Sequence, residues 1–259
     1  MAADGAEPVD WQGWLRRWDA QQTGYVPERE QRFAVMLDAL AVLLPEPFVA
    51  LDLACGPGSL SQRLLARFPQ ARSVAVDMDP VMLALGEGAL GTVGGRLRWV
   101  NADLADPGWT DALGESQFDA VLSTTALHWL TPEQLVGVYR ALGRLVRPGG
   151  VLLNGDNIAF GPDLPAFQRL ARFAEERDWS DVAFAAHGVE TAEQWWAALE
   201  QEPAMAGLLR ERARRFAAKQ RPESHAIVDL HVAALRNAGF REVGTLWQSL
   251  SNRVLLAVR

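Results

Sequence analysis

The chain has 259 residues, 49% of them hydrophobic and 22% charged, with a formal net charge of −7. This length and balance suit one large globular domain, or a domain with an inserted cap, that buries its core without covalent staples. The acidic balance, with no Lys/Arg block, argues against a nucleic-acid partner, and the single cysteine, Cys55, excludes an intramolecular disulfide or a site built from several thiolates. An acidic N-terminus, MAADGAEPVDW, and the lack of an apolar run long enough to span a bilayer lead to the expectation of a cytoplasmic protein with no membrane partner.

Residues 1–48 carry two amphipathic helical patterns. In DWQGWLRRWDA, Trp11, Trp14 and Trp18 recur at helical spacing, a stripe that packs on the domain or walls a pocket; EREQRFAVMLDALAVLL is the second. From Val49 to Val151 the pattern changes. Five short apolar runs (FVALDLA, SVAVD, LRWV, FDAVLS, GVLLNGD) alternate with SLSQRLLARF, PVMLALGEGAL, WTDALG and PEQLVGVYRALGRLV, the last two opened by Asp106-Pro107 and Thr131-Pro132. Five buried strands alternating with four helices predict a parallel, doubly wound α/β sheet. Residues 157–222 interrupt this with Ala- and Arg-rich helical sequence, read as an inserted helical cap. The core resumes over 223–259 with the helix SHAIVDLHVAALRNAG, stopped at Gly239, and two strands about SLSN that form a hairpin and add an antiparallel strand.

The turn in VALDLACGPGSLSQRLL sits where open α/β sheets bind ligands, at a strand's carboxyl end. It has no Gly-Lys-Ser/Thr, so it is not a P-loop, and Ser61 stands where a dinucleotide fold wants its third glycine. Asp77 ends the next strand, 19 residues after Gly58, where a carboxylate accepts both hydroxyls of a ribose. A ribose without pyrophosphate points to a nucleoside-type cofactor.

Taken together and in order, LDLACGPG, VAVDMDP, NADLADP, FDAVLSTTALHWL and LVRPGGVLL resemble the motifs of class I S-adenosylmethionine-dependent methyltransferases. The resemblance covers roughly 49–155 and the terminal hairpin. It implies a Rossmann-like sheet of seven strands with the last antiparallel, S-adenosylmethionine as cofactor, and 157–222 as a substrate cap. It also implies roles for particular residues. Asp52 and the Ala54, Gly56, Gly58 turn approach the methionine part and ribose, Asp77 the ribose hydroxyls, and Met78 the adenine. Asp103 and Leu104 lie at the exocyclic amine, and Ser123 near the amino group and methyl. Ala54 departs from the family, which has glycine there.

The acceptor side centres on STTALHWL, where His128 and Trp129 are the candidate catalytic residues. LHW together with GYVPEREQR looks like the trans-aconitate and juvenile hormone acid methyltransferase subgroup, which esterifies carboxylates. By that likeness Trp129, Gln22 (or Gln21) and Tyr25 hold the acceptor, and Arg32 (or Arg29) meets the cofactor's carboxylate. A carboxylate is already a nucleophile, so His128 then orients rather than deprotonates. His225 and His231, six apart, are rotated by roughly 120° on a helix and do not share a metal; none is expected. RERARRF reads as a solvated basic face, and of Trp195 and Trp196 at most one joins the core. The expected partner is a small, partly apolar acceptor, with a homodimer left open. The alternatives are a tRNA or protein methyltransferase, which needs a positive groove, and a non-catalytic S-adenosylmethionine-binding protein, hinted at by Ala54 alone.

Overall fold

The computed structural model describes residues 9–26, 28–178, 181–186, 188–217, 219 and 226–259. Seven strands, β1 (Val49–Leu53), β2 (Arg72–Asp77), β3 (Leu97–Asn101), β4 (Phe118–Thr124), β5 (Val146–Asn157), β6 (Glu242–Ser249) and β7 (Asn252–Val258), form one sheet in the order β3-β2-β1-β4-β5-β7-β6. The first five pair in parallel, while β7 runs antiparallel to both β5 and β6. The Rossmann-like fold and the closing hairpin therefore stand as the sequence predicts. Strand order reverses between β1 and β4, which places a crevice at their carboxyl ends.

Strand alternation divides the core in two. Leu51 and Leu53 of β1 face a layer with Phe118, Tyr139, Leu142, Leu235 and Phe240, covered by α5 (Pro132–Leu145) and α10 (Val228–Asn237). Phe48 and Ala50 face the opposite layer, with Phe33, Met36, Leu40, Leu60 and Leu64 from α2 (Arg29–Leu43) and α3 (Ser59–Arg67). A third cluster joins α1 (Trp11–Tyr25), α4 (Pro80–Leu90) and α8 (Ala192–Leu199) through Trp14, Met82, Leu85 and Trp195. Trp195 is fully buried, with edge contacts to Trp14 at 5.7 Å and Trp18 at 5.1 Å, so the tryptophan stripe of α1 packs on α8. The segment after β5 contributes α6 (Pro165–Asp178), α7 (Asp181–Ala186), α8 and α9 (Ala206–Phe216).

Local chemistry starts these helices where the sequence puts them. Asp10 accepts from Gly13 N at 2.8 Å to open α1, and Asp79 from Val81 N at 2.9 Å to open α4, with Pro80 in its first turn. Thr131–Gln134 and Thr191–Gln194 form reciprocal capping boxes at α5 and α8. WTDALG, predicted as a helix, is a single 3-10 turn over Trp109–Leu113. Six residues supply too few backbone hydrogen bonds to propagate an α-helix.

Two backbone positions generate expected outcomes. Ala54 turns the chain out of β1 at φ 50°, the left-handed region that crowds a Cβ. Ala54→Gly is expected to raise unfolding stability by about 0.5–1 kcal/mol, the relief of strain exceeding glycine's added unfolded-state entropy, as read by urea denaturation. Gly143 lies where α5 meets α10, and a Cβ there would come within 2.1 Å of Ala238 O. Gly143→Ala is expected to cost about 1–3 kcal/mol in the same measurement, because a backbone oxygen cannot step aside.

Candidate active site

The turn between β1 and α3 is held from below by two carboxylates. Asp77, at the end of β2, accepts from Gly56 N and from Asp79 N, each at 2.8 Å, and so ties the turn to the start of α4. Asp52 accepts from Ser61 N at 3.1 Å and Ser61 Oγ at 2.7 Å, while its Oδ1 is buried with no hydrogen-bond partner. Burial pushes Asp52 up to about 7, against the Ser61 hydrogen bonds and with Asp77's charge adding. Burial likewise pushes Asp77 up to about 6, opposed by the backbone donors. Ser61, in the third-glycine position, is therefore Asp52's partner. Gly56 (φ 55°) has open space where a Cβ would be, whereas one on Gly58 (φ 81°) would strike Trp99 at 2.4 Å. Only glycine satisfies Gly58's backbone and that neighbour together.

Helix α1 is tied to the turn through Asp19, which accepts from Ser59 Oγ at 2.6 Å and pairs with Arg29 at 2.9 Å and Arg63 at 3.2 Å. Arg29 is thereby committed to Asp19. Two residues on, Gln21 is fully buried and its Nε2 has no partner, while its Oε1 accepts from Gln22 Nε2 at 3.0 Å. Tyr25 packs on Phe184 at 4.6 Å, and its hydroxyl accepts from Ala192 N at 3.2 Å.

Beyond Asp77, the loops after β2 and β3 carry Met78, Asp103 and Leu104, and here the expectation for RERARRF changes. Arg212 pairs with Asp79 at 2.6 Å and stacks on Trp196 at 4.0 Å. Arg215 donates to Met78 O at 2.8 Å and to Asn101 Oδ1 at 2.6 Å. Lys219 pairs with Asp103, which also accepts from Ala105 N at 3.0 Å. One face of α9 thus closes on the strand ends, because acids and free carbonyls there attract its cations. Arg210, exposed, and Arg214, exposed and bonded to Glu211, keep the solvated character read from the sequence. Leu104 is half-buried against the core layer of β3.

The ends of β4 and β5 form the adjoining half. Ser123 Oγ donates to Leu53 O at 3.0 Å and ties β4 to β1. Thr125 follows at φ 54°, a strained conformation for a β-branched residue, and donates its N–H to Gly155 O at 2.8 Å. Arg32 lies fully buried below. Its Nη1 donates to Thr125 Oγ1 at 2.7 Å and Gly155 O at 2.9 Å, and its Nε to Asn252 Oδ1 at 2.9 Å, with Nη2 on the same oxygen. Burial pushes Arg32 down to about 10, opposed by the charge of Asp156. Arg32, expected to meet a cofactor carboxylate, is buried by α2 against β5 and β7, and a guanidinium away from water takes the acceptors around it.

His128 occupies a 3-10 turn with Trp129, their rings 5.3 Å apart, and Trp129 is 50% exposed. Asp156, buried at the end of β5, accepts from His128 N at 3.1 Å and meets His128 Nδ1 at 2.7 Å. Burial raises the Asp156 pKa, yet the charge and hydrogen bond of His128, with Arg32, hold it below the usual carboxylate range. The sequence reading missed Asp156. The signal was an acid closing an apolar run, the same pattern that singled out Asp52 and Asp77. His231 is buried against Tyr139, Oη to Nδ1 2.6 Å, and burial pushes it down to about 4, so the Tyr139 hydroxyl donates to a neutral ring. His225, His187 and Trp179 lie outside the described residues.

Comparisons with known proteins agree with this geometry. Residues 50–150 match the family model of a methyltransferase domain. A trans-aconitate 2-methyltransferase of Acidovorax sp. (strain JS42) is 32% identical over 169 residues, 64% of this chain and 59% of that protein. One from Methylobacterium radiotolerans is 33% identical over 190 residues, 73% and 61% of the two chains. The chain thus spans about three fifths of these relatives' length. Among solved structures, an O-methyltransferase family protein from Burkholderia thailandensis superposes with a TM-score of 0.55 at 17% identity, over 99% of this chain and 65% of that one. The magnesium protoporphyrin IX methyltransferase of Synechocystis PCC 6803, solved with bound SAH, gives 0.57 at 16% identity over 95% and 94%. With the matched core, the glycine turn and the antiparallel last strand, residues 50–150 are a methyltransferase domain with the class I S-adenosylmethionine-dependent fold.

Proposed function

We propose that this protein methylates a carboxylate oxygen of a small, partly apolar acid. The observation that carries the reading is the meeting of two half-sites across the β1–β4 switch point: the Asp52–Asp77 turn on one side, and the His128–Asp156 pair beside Trp129 on the other. The names of the relatives support the acceptor class, since trans-aconitate is a tricarboxylate.

The residues present fit the cofactor. Gly56 leaves open space, and the buried Asp52 Oδ1 and Gln21 Nε2 lack partners, an acceptor and a donor of the kind that an amino acid with a ribose would satisfy. S-adenosylmethionine, when bound, supplies a sulfonium methyl whose carbon–sulfur bond breaks with the electron pair staying on sulfur as the acceptor oxygen bonds the carbon. In this reading Asp77 takes the ribose hydroxyls and Met78 flanks the adenine, whose amine lies at Asp103 and Leu104. Asp52, Ala54, Gly56 and Gly58 shape the methionine end, with Ser123 beside the methyl. Gln22, Tyr25, Trp129 and His128 face the acceptor, and the helices over 157–222 cover it. Arg32 stays beneath, holding the ends of β4, β5 and β7. The chain's work is alignment and exclusion of water, because in-line displacement on a carboxylate needs no base.

Ribose hydroxyls need an ionised acceptor, and Asp77 in the unliganded protein ionises near 6. Affinity for S-adenosylhomocysteine is therefore expected to be full above about pH 7 and to fall as pH drops through 6. Calorimetry should show this slope in the wild type and a shallower one, at least about tenfold weaker at pH 8, in Asp77→Asn, what remains belonging to Asp52. Transfer of labelled methyl from S-adenosylmethionine to trans-aconitate, in a bond cleaved by mild base, is the expected activity. A base-stable product from hydroxyl or amine acceptors would overturn the carboxylate reading, and tight cofactor binding without transfer to a broad acceptor panel would favour a binding protein.

A further inference from the structure

Asp156 grips the His128 turn at two points, the backbone N–H at 3.1 Å and ring Nδ1 at 2.7 Å, so one carboxylate sets both the main chain and the ring of this residue. A second frame supports it from below. Arg32 bonds Thr125 Oγ1 at 2.7 Å and Gly155 O at 2.9 Å, holding the strained Thr125 that redirects the chain from β4 towards His128, and its charge faces Asp156. The groups around Asp156 come from several elements: Arg32 from α2, His128 from the turn after β4, Asn157 N from β5, Tyr139 from α5, His231 from α10 and, opposite it in register on β7, Arg253, whose guanidinium stacks on Phe160. Burial keeps the Tyr139 hydroxyl protonated and the His231 ring neutral, so the groups that hold this buried acid below the usual carboxylate range are His128 and Arg32.

We propose that Asp156 is a positioning residue for His128: it pins the ring through Nδ1 and holds it as an imidazolium, so that His128 anchors an acceptor carboxylate as a cation and takes no proton from it. Arg32 and Asp156 neutralise one another, and a protonated His128 gives the trio one net positive charge next to the half-exposed Trp129. A neutral ring would leave the trio without charge, suited to deprotonating a hydroxyl but not to holding an acid. The inference rests on the carboxylate reading above and adds to it the residue that makes the site selective for anions.

The two roles for His128 have pH dependences of opposite sign. An anchoring imidazolium loses hold of the acceptor as pH rises through its titration, whereas a base loses activity as pH falls. With trans-aconitate and S-adenosylmethionine, kcat/KM is expected to decline on the alkaline side, with the loss in KM, and Asp156→Asn should move the break to lower pH by about one unit or more. His128→Gln should remove the break and raise KM at least about tenfold with a smaller change in kcat, and His128→Lys should recover part of the KM. Independently of activity, the His128 imidazole resonance, assigned by its loss in His128→Gln, should titrate lower by the same interval in Asp156→Asn. With S-adenosylmethionine kept saturating at each pH, a wild-type rate that falls towards acid, or a break and resonance unmoved in Asp156→Asn, would overturn the proposal. Failure to methylate any carboxylate while the resonance still shifts would instead remove the functional reading beneath it.

Discussion

A guanidinium sealed from water dictates much of this molecule's functional edge. Arg32 is fully buried, and taking a charge from water costs several kcal/mol unless acceptors and a counter-charge surround it. It finds them on Thr125 after β4, on Gly155 of β5 and on Asn252 of β7, with Asp156 as the opposing charge. Gly155 is glycine for the same reason, since a Cβ there would lie 2.5 Å from Arg32 Cδ. Removing the guanidinium would leave Asp156 with His128 as its bonded partner and take the donor from Thr125, Gly155 and Asn252 together. The conformation of Thr125, worth about 1–3 kcal/mol of strain, persists because this bonding over-determines it.

The opposite half of the edge is organised by acids with no counter-ion in direct contact. Asp52 and Asp77 are both buried at strand ends, and both are pushed upward, most of all by desolvation. Their partners are backbone and hydroxyl donors from Ser61, Gly56 and Asp79, which shape the turn but leave the charge only partly compensated. Such a site gains from a ligand that brings its own donors. The contrast with Asp156, lowered by His128 and Arg32, gives the two halves different electrostatics: one awaits hydroxyl and ammonium donors, the other presents a cation.

Sequence pattern made the scaffold legible because its determinants are local. Period-two apolar runs, the Pro and Thr signals opening α5, and the turn about SLSN are set by neighbours within a few positions, and the sheet follows from them. Asp52, Gly56, Gly58 and Asp77 were readable for the same reason, each sitting at a strand end or turn. Long-range pairing was not. His128 meets Asp156 across 28 residues, Arg32 meets Gly155 across 123, and Arg212 meets Asp79 across 133. No periodicity encodes such partners. Arg32 accordingly read as the partner of a cofactor carboxylate and RERARRF as solvent-facing, when the fold buries Arg32 among acceptors of its own and turns Arg212 and Arg215 onto the strand ends.

Helix α9 shows how an inserted segment is recruited to the sheet by ionic contacts added to an apolar one. None of its residues is buried, yet Arg212 and Arg215 reach Asp79, Met78 O and Asn101, while Arg212 also lies between the rings of Trp196 and Phe216. Contacts of this kind hold by charge and cation–π attraction, individually about 0.5–2 kcal/mol and weakened by salt where exposed. The same helix lays Leu208 and Leu209 on the cluster of Trp14 and Trp195, which α1 shares, and α1 is tied in addition through Asp19. The fold thus ties α1 and α9 to one apolar cluster, and the cations of α9 and of Lys219 beyond it rest on Asp79 and Asp103, beside the acid that closes β2.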